Sequence, residues 1–215
     1  MTVSYDPASV TNPDFLGAYR YNPDTKMKWD YLGGKVDKDK KVVTFTTPHL
    51  SEYALMEYHK TFNDVAGSFA KADIEYLASR HIIYGVTDTK FDPLGNITRA
   101  QFCALVARAL NLQASSSAPS FKDVSGSYWA AKEIQAAAQA GIVKGYTDGT
   151  FKPDQFINRE QLAAMVARAL VYSGGGTLPA PEQAKTILNR FQDQNRITSG
   201  LAREVALAAD RGIVL

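Results

Sequence analysis

A repeated stretch of the sequence constrains the fold more than any other feature. Residues 146–153 read YTDGTFKP and residues 86–93 read VTDTKFDP. A motif that recurs at a fixed period indicates a repeat architecture, in which each copy is one small structural unit. The chain is therefore predicted to be built from copies of a turn followed by a helix.

Each copy of the stretch precedes a strong signal for the start of a helix. Thr98 and Asn158 are good N-cap residues, and each is followed three residues later by a glutamine that completes a capping box. Asp88, Asp148 and Gly149 are predicted to shape the turns before these caps. Apolar residues then recur at helical spacing, namely Phe102, Leu105, Val106, Ala109 and Leu110 in one copy and Leu162, Met165, Val166, Ala169 and Leu170 in the other.

The repeat divides the chain into four predicted segments. Residues 1–60 indicate two or three short antiparallel strands and resemble the tail of a larger β domain. Residues 61–114 form the first repeat, residues 115–176 the second, and residues 177–215 a linker and a third copy without its turn and capped helix. A Ser-rich linker is expected at 113–119. The predicted fold class is mainly α, with a short N-terminal antiparallel β segment.

Composition argues against several classes of protein. The net charge of +2 gives no support for a nucleic-acid binder. Cys103 is the single cysteine, so no intramolecular disulfide is expected, and no apolar run is long enough for a membrane span. No secretion signal opens the chain, so the protein is either cytosolic or a piece of a longer protein, and the second alternative is favoured.

Signals for catalysis or metal binding are also missing from the sequence. No Gly-x-Ser-x-Gly elbow is present and no histidine is placed to activate a nucleophile. Asp148 and Asp154 flank the second turn, but they lack the spacing of a calcium loop. We therefore expect no enzymatic activity, no metal and no cofactor, although distant carboxylates could pair in space.

The two copies resemble the S-layer homology family. Residues 148–153 carry its Asp-Gly-Thr-Phe-x-Pro turn intact, and residues 98–101 read TRAQ where the family favours Thr-Arg-Ala-Glu. The first copy departs from the pattern at Thr89 and Lys90, where the family has Gly-Thr, and residues 158–161 read NREQ. The resemblance covers residues 62–215.

This resemblance implies a fold and a function. The family packs three repeats around a pseudo-threefold axis, with the capped helices as a central bundle and the loops as prongs. It binds secondary cell-wall polysaccharide, often pyruvylated, or another peptidoglycan-linked glycan, in grooves between prongs. Such binding anchors extracellular proteins non-covalently to the wall of Gram-positive bacteria. One full groove is expected between the first two repeats.

Two arginines are the first candidates for glycan binding. Arg99 and Arg159 occupy the first helical position, where a positive charge opposes the helix dipole and therefore suggests another task. A guanidinium could bind the carboxylate of a pyruvate ketal. It could equally pair with Asp64, Asp123 or the loop backbone, and one arginine could do both.

The remaining candidates surround the turns. Asp64 and Asp123 are interpreted first as acceptors within the turn and second as acceptors for sugar hydroxyls. Trp129 could stack on a sugar, as could Phe69 in the first copy, although an aromatic residue at this spacing is more often part of the core.

Three further candidates, Lys144, Gly145 and Tyr146, precede the second turn. Gly145 would let a ligand approach the backbone closely. Two other functions stay open at this point. The chain could be a fragment of a surface-anchored polysaccharide or wall hydrolase with its catalytic domain elsewhere, or a protein–protein module of a surface array. Self-association through the unfinished third copy is a further expectation.

Overall fold

The computed structural model describes residues 1–47, 50–115 and 120–214. The chain divides into two compact units, Met1–Gly95 and Asn96–Leu215. This boundary falls inside the first predicted repeat, after its turn and before its capped helix. Residues 116–119 of the predicted linker lie outside the described residues. In the described ranges, no helix combines the length and the apolar character that crossing a membrane requires.

The first unit holds two antiparallel sheets of three strands. The strands are β1 Thr2–Ser4, β2 Leu16–Tyr21, β3 Trp29–Gly33, β4 Lys35–Asp37, β5 Val42–Thr44 and β6 Tyr53–Glu57. Their order is β1-β5-β4 in one sheet and β3-β2-β6 in the other. Val43 lies opposite both Val3 and Val36 and is fully buried, so the two outer strands of this sheet, β1 and β4, gain their stability from β5 between them.

The prediction of a mainly α fold is wrong. The structure is 35% helical and 13% strand, and its described part contains two three-stranded sheets beside six helices. β1 and β4 have only three residues each, which is too short for an alternating pattern to reveal them. Thr2 of β1 pairs with Thr44 of β5, far away in the sequence, whereas β4 and β5 form a local hairpin; together these pairings create the second sheet.

One helix, α1 Lys71–Ser79, belongs to the first unit together with the sheets. The residue after it, Arg80, donates to the Leu16 carbonyl at 2.9 Å and to the Asp14 carbonyl at 3.0 Å. His81 Nε2 lies 2.9 Å from the Tyr19 hydroxyl. The β segment and the first half of the first repeat therefore form one hydrogen-bonded structure.

Helix ends in the two units share one backbone motif. His81 has a left-handed backbone with φ of 54°, and Gly141 and Gly212 take the same place after later helices with φ of 71° and 66°. In each case the next amide donates to a carbonyl five residues earlier, as in a Schellman motif. A histidine in this conformation is less favourable than glycine, and its contacts with the tyrosines of the first unit offset that cost.

The second unit is helical. Its helices are α2 Arg99–Ala109, α3 Ala131–Gln139, α4 Arg159–Tyr172, α5 Pro181–Leu188 and α6 Ala202–Asp210. The two capped helices, α2 and α4, contact each other, while α2 also packs on α3 and α4 on α6. The capped helix of one copy thus packs on the first helix of the next copy. One core surrounds Cys103, Ile134 and Phe151, and a second surrounds Ala184, Leu188 and Ala208.

Both predicted capping boxes are present in this unit. Thr98 Oγ1 accepts from the Gln101 amide at 3.2 Å, and the Thr98 amide donates to Gln101 Oε1 at 2.8 Å. Asn158 and Gln161 make the same exchange at 2.9 and 3.5 Å. Local sequence therefore fixes where α2 and α4 begin, and with them the positions of Arg99 and Arg159.

Candidate functional site

An aspartate clamps each of the two turns. Asp123 accepts from the Phe151 and Lys152 amides, both at 2.7 Å, with one carboxylate oxygen for each. The corresponding bonds of Asp64 run to Phe91 at 3.0 Å and to Asp92 at 2.8 Å. These amide bonds hold the pKa of Asp64 below its usual range. The geometry supports the role of acceptor within the turn, and contact with sugar hydroxyls stays a prediction.

A glycine in each turn makes room for the phenylalanine that precedes the clamping aspartate. A Cβ on Gly145 would lie 2.5 Å from Phe121 Cε1 and 2.8 Å from the Thr150 carbonyl oxygen. A Cβ on Gly85 would lie 2.4 Å from Phe62 Cε1. Close packing inside the turn is thus reason enough for the glycine, independently of any ligand.

The tips of the two turns are stabilised differently. In the second turn Asp148 Oδ1 accepts from the Thr150 amide at 2.9 Å and from its hydroxyl at 2.6 Å, bonds that lower the pKa of Asp148. Gly149 has φ of 83°, a conformation that favours glycine. In the first turn Thr87 Oγ1 accepts from the Lys90 amide at 3.1 Å, and Asp88 is exposed.

Arg99 links α2 to the second turn. Its side chain is only 4% exposed, and Nε donates to the Phe151 carbonyl at 2.9 Å. Nη2 donates to the Lys144 carbonyl at 3.5 Å, and the guanidinium carbon lies 4.7 Å from the Phe151 ring centroid. Burial lowers the pKa of Arg99, although a guanidinium keeps its charge in proteins. The loop-backbone role that the sequence left open is therefore present in the structure.

Arg159 occupies the matching position of α4 but is exposed. In the repeat alignment, Gly212, Ile213 and Val214 correspond to Gly141, Ile142 and Val143. The two helix-opening arginines share a sequence position but have different surroundings.

Tyr146 lies between two cations. The Arg99 guanidinium carbon is 5.0 Å from its ring centroid, and Lys152 Nζ is 4.2 Å from it. The Tyr146 hydroxyl accepts from Gln161 Nε2 at 3.1 Å, so the capping glutamine of α4 also orients this ring. The second turn brings together five of the predicted candidates, namely Arg99, Asp123, Lys144, Gly145 and Tyr146, and their role in glycan binding stays a prediction.

Sequence reasoning missed two lysines of this turn. Lys152 follows Phe151 in the motif, and Lys122 extends along the turn so that a Cβ on Gly149 would lie 3.1 Å from its Cε. Both positive charges help to lower the pKa of Asp148. A comparison of the two copies by charge, rather than by motif, would have found them.

Trp129 is 54% exposed, and its counterpart Phe69 is fully exposed. Neither side chain belongs to the core, contrary to the more common behaviour of aromatic residues at helical spacing. Trp129 lies next to Tyr128, at 5.8 Å between ring centroids. The Tyr128 hydroxyl donates to Asp154 Oδ1 at 2.7 Å, and burial and this bond raise the pKa of Tyr128 to about 12. This bond connects the aromatic pair to the end of the second turn.

The described residues were also compared with the requirements of a metal site. Among residues 1–47, 50–115 and 120–214, no three histidine, cysteine or carboxylate side chains come close enough together to hold a metal ion. The second turn offers exposed lysines and polar backbone groups, with the exposed aromatic face of Trp129 connected to its end.

Comparison with known protein families identifies both copies. Residues 61–103 and 120–163 match the model of the S-layer homology domain. The predicted third copy lies outside these matched residues.

Individual relatives include enzymes and surface proteins. An amylopullulanase of Thermoanaerobacterium thermosulfurigenes is 38% identical over 213 residues, which is 99% of this chain and 11% of the relative. An endoglucanase of a Bacillus species is 46% identical over 139 residues, 64% of this chain and 14% of the relative. The S-layer protein EA1 of Bacillus anthracis is 38% identical over 112 residues, 51% of this chain and 13% of the relative. The chain thus spans little more than a tenth of the length of these proteins.

Proposed function

Because the chain contains two S-layer homology domains, we propose that it anchors a protein to the bacterial cell surface by binding a glycan of the wall. The observation that carries this proposal is the second turn, whose backbone Asp123 and Arg99 hold in place and which carries exposed lysines. The exposed Trp129 is connected to the end of this turn through Tyr128 and Asp154. A rigid loop with an apolar face and positive charges suits a sugar acid, because the aromatic ring covers a sugar face and the cations attract its anionic group.

The proposed ligand is the anionic secondary polysaccharide of the wall, with pyruvate ketals as the anionic groups. A ketal carboxylate is compact and permanently charged near neutral pH, so it pairs well with a fixed cation. The net charge of the chain is only +2, so long-range attraction is weak and the affinity depends on these local contacts.

The proposed role involves no catalysis by these residues. Several relatives are enzymes by name, and the amylopullulanase match extends over the β segment as well as the repeats. This extent favours a second proposal, that the chain is the anchoring part of a larger polysaccharide-degrading protein. Its catalytic residues would then lie elsewhere in that protein.

The test is a pull-down of the purified chain with Gram-positive walls, before and after the secondary polysaccharide has been removed. Trp129→Ala is assayed beside the parent, and Tyr172→Ala serves as the matched control because Tyr172 is equally exposed at the end of α4. We expect binding to intact walls, weaker binding by Trp129→Ala, and parent-like binding by Tyr172→Ala.

Other outcomes identify the competing functions. Equal binding to stripped walls would point to peptidoglycan or protein and contradict the glycan proposal. Release of reducing sugar from the glycan would establish a hydrolase instead. Self-assembly of the chain without any wall, with no retention on walls, would support a protein–protein module.

A further inference from the structure

We infer that the two turns are functionally unequal: Lys122, Lys144 and Lys152 make the second turn the anion subsite, and Arg99 positions that turn without contacting the anion. This inference rests on the proposed function, since it assigns the charged part of a glycan to one turn. It also assigns a role to Lys122 and Lys152, which the repeat motif alone does not single out.

The clamped part of the backbone cannot be the source of the inequality, because it is held in the same way in both turns. Asp64 and Asp123 clamp equivalent amides at 2.7–3.0 Å. The residues before the two prolines, Asp92 and Lys152, share a left-handed conformation with φ of 62° and 56°. A ligand that recognised only this clamped backbone would meet similar surfaces in both copies.

The side chains of the two turns differ at several matched positions; four of these favour an anion in the second turn, whereas Thr150 of the second turn replaces Lys90 of the first. In the second turn these four positions hold three lysines and a tyrosine, and in the first turn they hold no cation: Lys122 corresponds to Asn63, Lys144 to Tyr84, Tyr146 to Val86 and Lys152 to Asp92. The change from Lys152 to Asp92 reverses the charge beside the clamped backbone.

The cations of the first turn do not give it the same attraction for an anion as the second turn has. Lys60 Nζ donates to the Tyr84 carbonyl at 3.0 Å and lies 5.1 Å from the Phe62 ring centroid, so it is committed to the turn itself. Lys90 is exposed, but the exposed carboxylates of Asp88 and Asp92 belong to the same short stretch. The first turn therefore offers a sugar acid little net attraction.

The burial of Arg99 explains why the lysines, and not this arginine, face the anion. Its guanidinium is used by the Phe151 and Lys144 carbonyls and stacks beside the rings of Tyr146 and Phe151. Binding an anion there would require the loop to release these contacts. Lys144 and Lys152 are exposed, and the cation–π contact at 4.2 Å keeps the Lys152 ammonium above Tyr146.

The ligand chemistry is an anionic group carried on a wall polysaccharide. An ammonium is a compact point charge without the fixed fork of a guanidinium, so it can bind either a carboxylate or a phosphate. Three polymers distinguish a ketal carboxylate from a phosphate as the anionic group. They are a pyruvylated polysaccharide, the same polysaccharide after removal of the ketals, and a phosphate-linked teichoic polymer.

The experiment measures the affinity of the full chain for each polymer at several salt concentrations. The variant Lys122→Gln/Lys144→Gln/Lys152→Gln is compared with Lys60→Gln/Lys90→Gln, which removes cations from the first turn. We expect the second-turn variant to bind at least about tenfold more weakly, with a flatter dependence of affinity on salt. The first-turn control should stay within about twofold of the parent, since its cations are not part of the subsite.

Arg99→Gln tests the positioning role. It should lower the melting temperature and the affinity but keep the salt dependence of the parent, because the lost charge does not face the anion. A flattened salt dependence in Arg99→Gln would assign the anion to this residue and overturn the inference. Equal losses in the two lysine variants would overturn it as well. If the parent binds none of the polymers, the proposed function itself fails, whereas parent binding with no loss in the second-turn variant rejects only the inference.

Discussion

Arg168 of α4 and Glu204 of α6 form an ion pair that is almost closed to water. Nη2 and Nε of the arginine both donate to Glu204 Oε1, at 2.9 and 3.0 Å, and the side chains are only 12% and 9% exposed. Arg108 of α2 and Glu133 of α3 form the same pair one copy earlier at 3.0 Å, with side chains 23% and 24% exposed. Each pair joins the capped helix of one copy to the first helix of the next.

Removal of one partner from the more buried pair should be costly. Arg168→Ala leaves Glu204 with an uncompensated charge near the second core, and we expect the free energy of unfolding to fall by about 3–5 kcal/mol. Urea unfolding followed by circular dichroism measures this. Arg108→Ala is the matched control and should lose clearly less, because its pair is more exposed to solvent. Equal losses would contradict a role for burial.

A methyl group on the glycine of the second turn should destabilise the chain. In Gly145→Ala the new Cβ would collide with the Phe121 ring and the Thr150 carbonyl, and overpacking of this kind costs about 1–3 kcal/mol. The comparison is with Gly126→Ala, since no atom lies within 4 Å of a Cβ at Gly126. Chemical denaturation of both variants measures the free energy of unfolding, which should fall in Gly145→Ala and stay close to the parent value in Gly126→Ala. A stable Gly145→Ala would mean that Phe121 can move away without cost.

Cys103 should report the opening of the second unit. The thiol is fully buried in the core of α2 and α3, and burial raises its pKa to about 12. The reactive thiolate is therefore rare in the folded chain. We expect an alkylating reagent to label Cys103 only as fast as the unit unfolds, and faster in Arg168→Ala. Glutathione in the same solution controls for the reagent. Rapid labelling of the folded parent would contradict the buried position.

Acid should weaken the first unit through His81. Burial lowers the pKa of His81 below its ordinary value of 6.5, so the fold favours the neutral ring. Below pH 6.5 the unfolded chain takes up the proton first, so this contribution to stability is present above that pH and is lost as the pH falls through the folded pKa. Thermal unfolding between about pH 8 and pH 5 should show the decline.

Two variants isolate this effect. His81→Gly suits the left-handed backbone and should flatten the decline, whereas His59→Gln, which retains His81, should preserve it. An unchanged decline in His81→Gly would assign the acid sensitivity to another group.

Local signals predicted the parts of the structure that depend on neighbouring residues. The capping boxes at Thr98 and Asn158 and the Asp148-Gly149 turn are encoded within a few positions, so the start of each capped helix could be read directly. The second sheet could not be read in full, because Thr2 of β1 pairs with Thr44 of β5, far away in the sequence. The β4–β5 hairpin is local, but each of its strands has only three residues.

The contrast between Arg99 and Arg159 has the same cause. Both open a capped helix in nearly identical motifs, but the turn that buries Arg99 comes from the following copy. A motif read one copy at a time cannot indicate this burial. The exposure of Trp129 was also not decided by its spacing, because the core of α3 is filled by Ile134 and by alanines.

The packing of each capped helix onto the next copy has a consequence for how such chains grow by duplication. The repeated unit of sequence runs from a first helix to a capped helix. The unit that closes an apolar core instead joins a capped helix to the first helix of the next copy, so it is shifted by half a repeat. One copy alone would expose the apolar face of its capped helix, and every added copy closes the interface left by its predecessor. In this arrangement each added copy would create one more buried interface between neighbouring copies. With that interface, the arginine of the preceding copy would be held in the turn of the new copy.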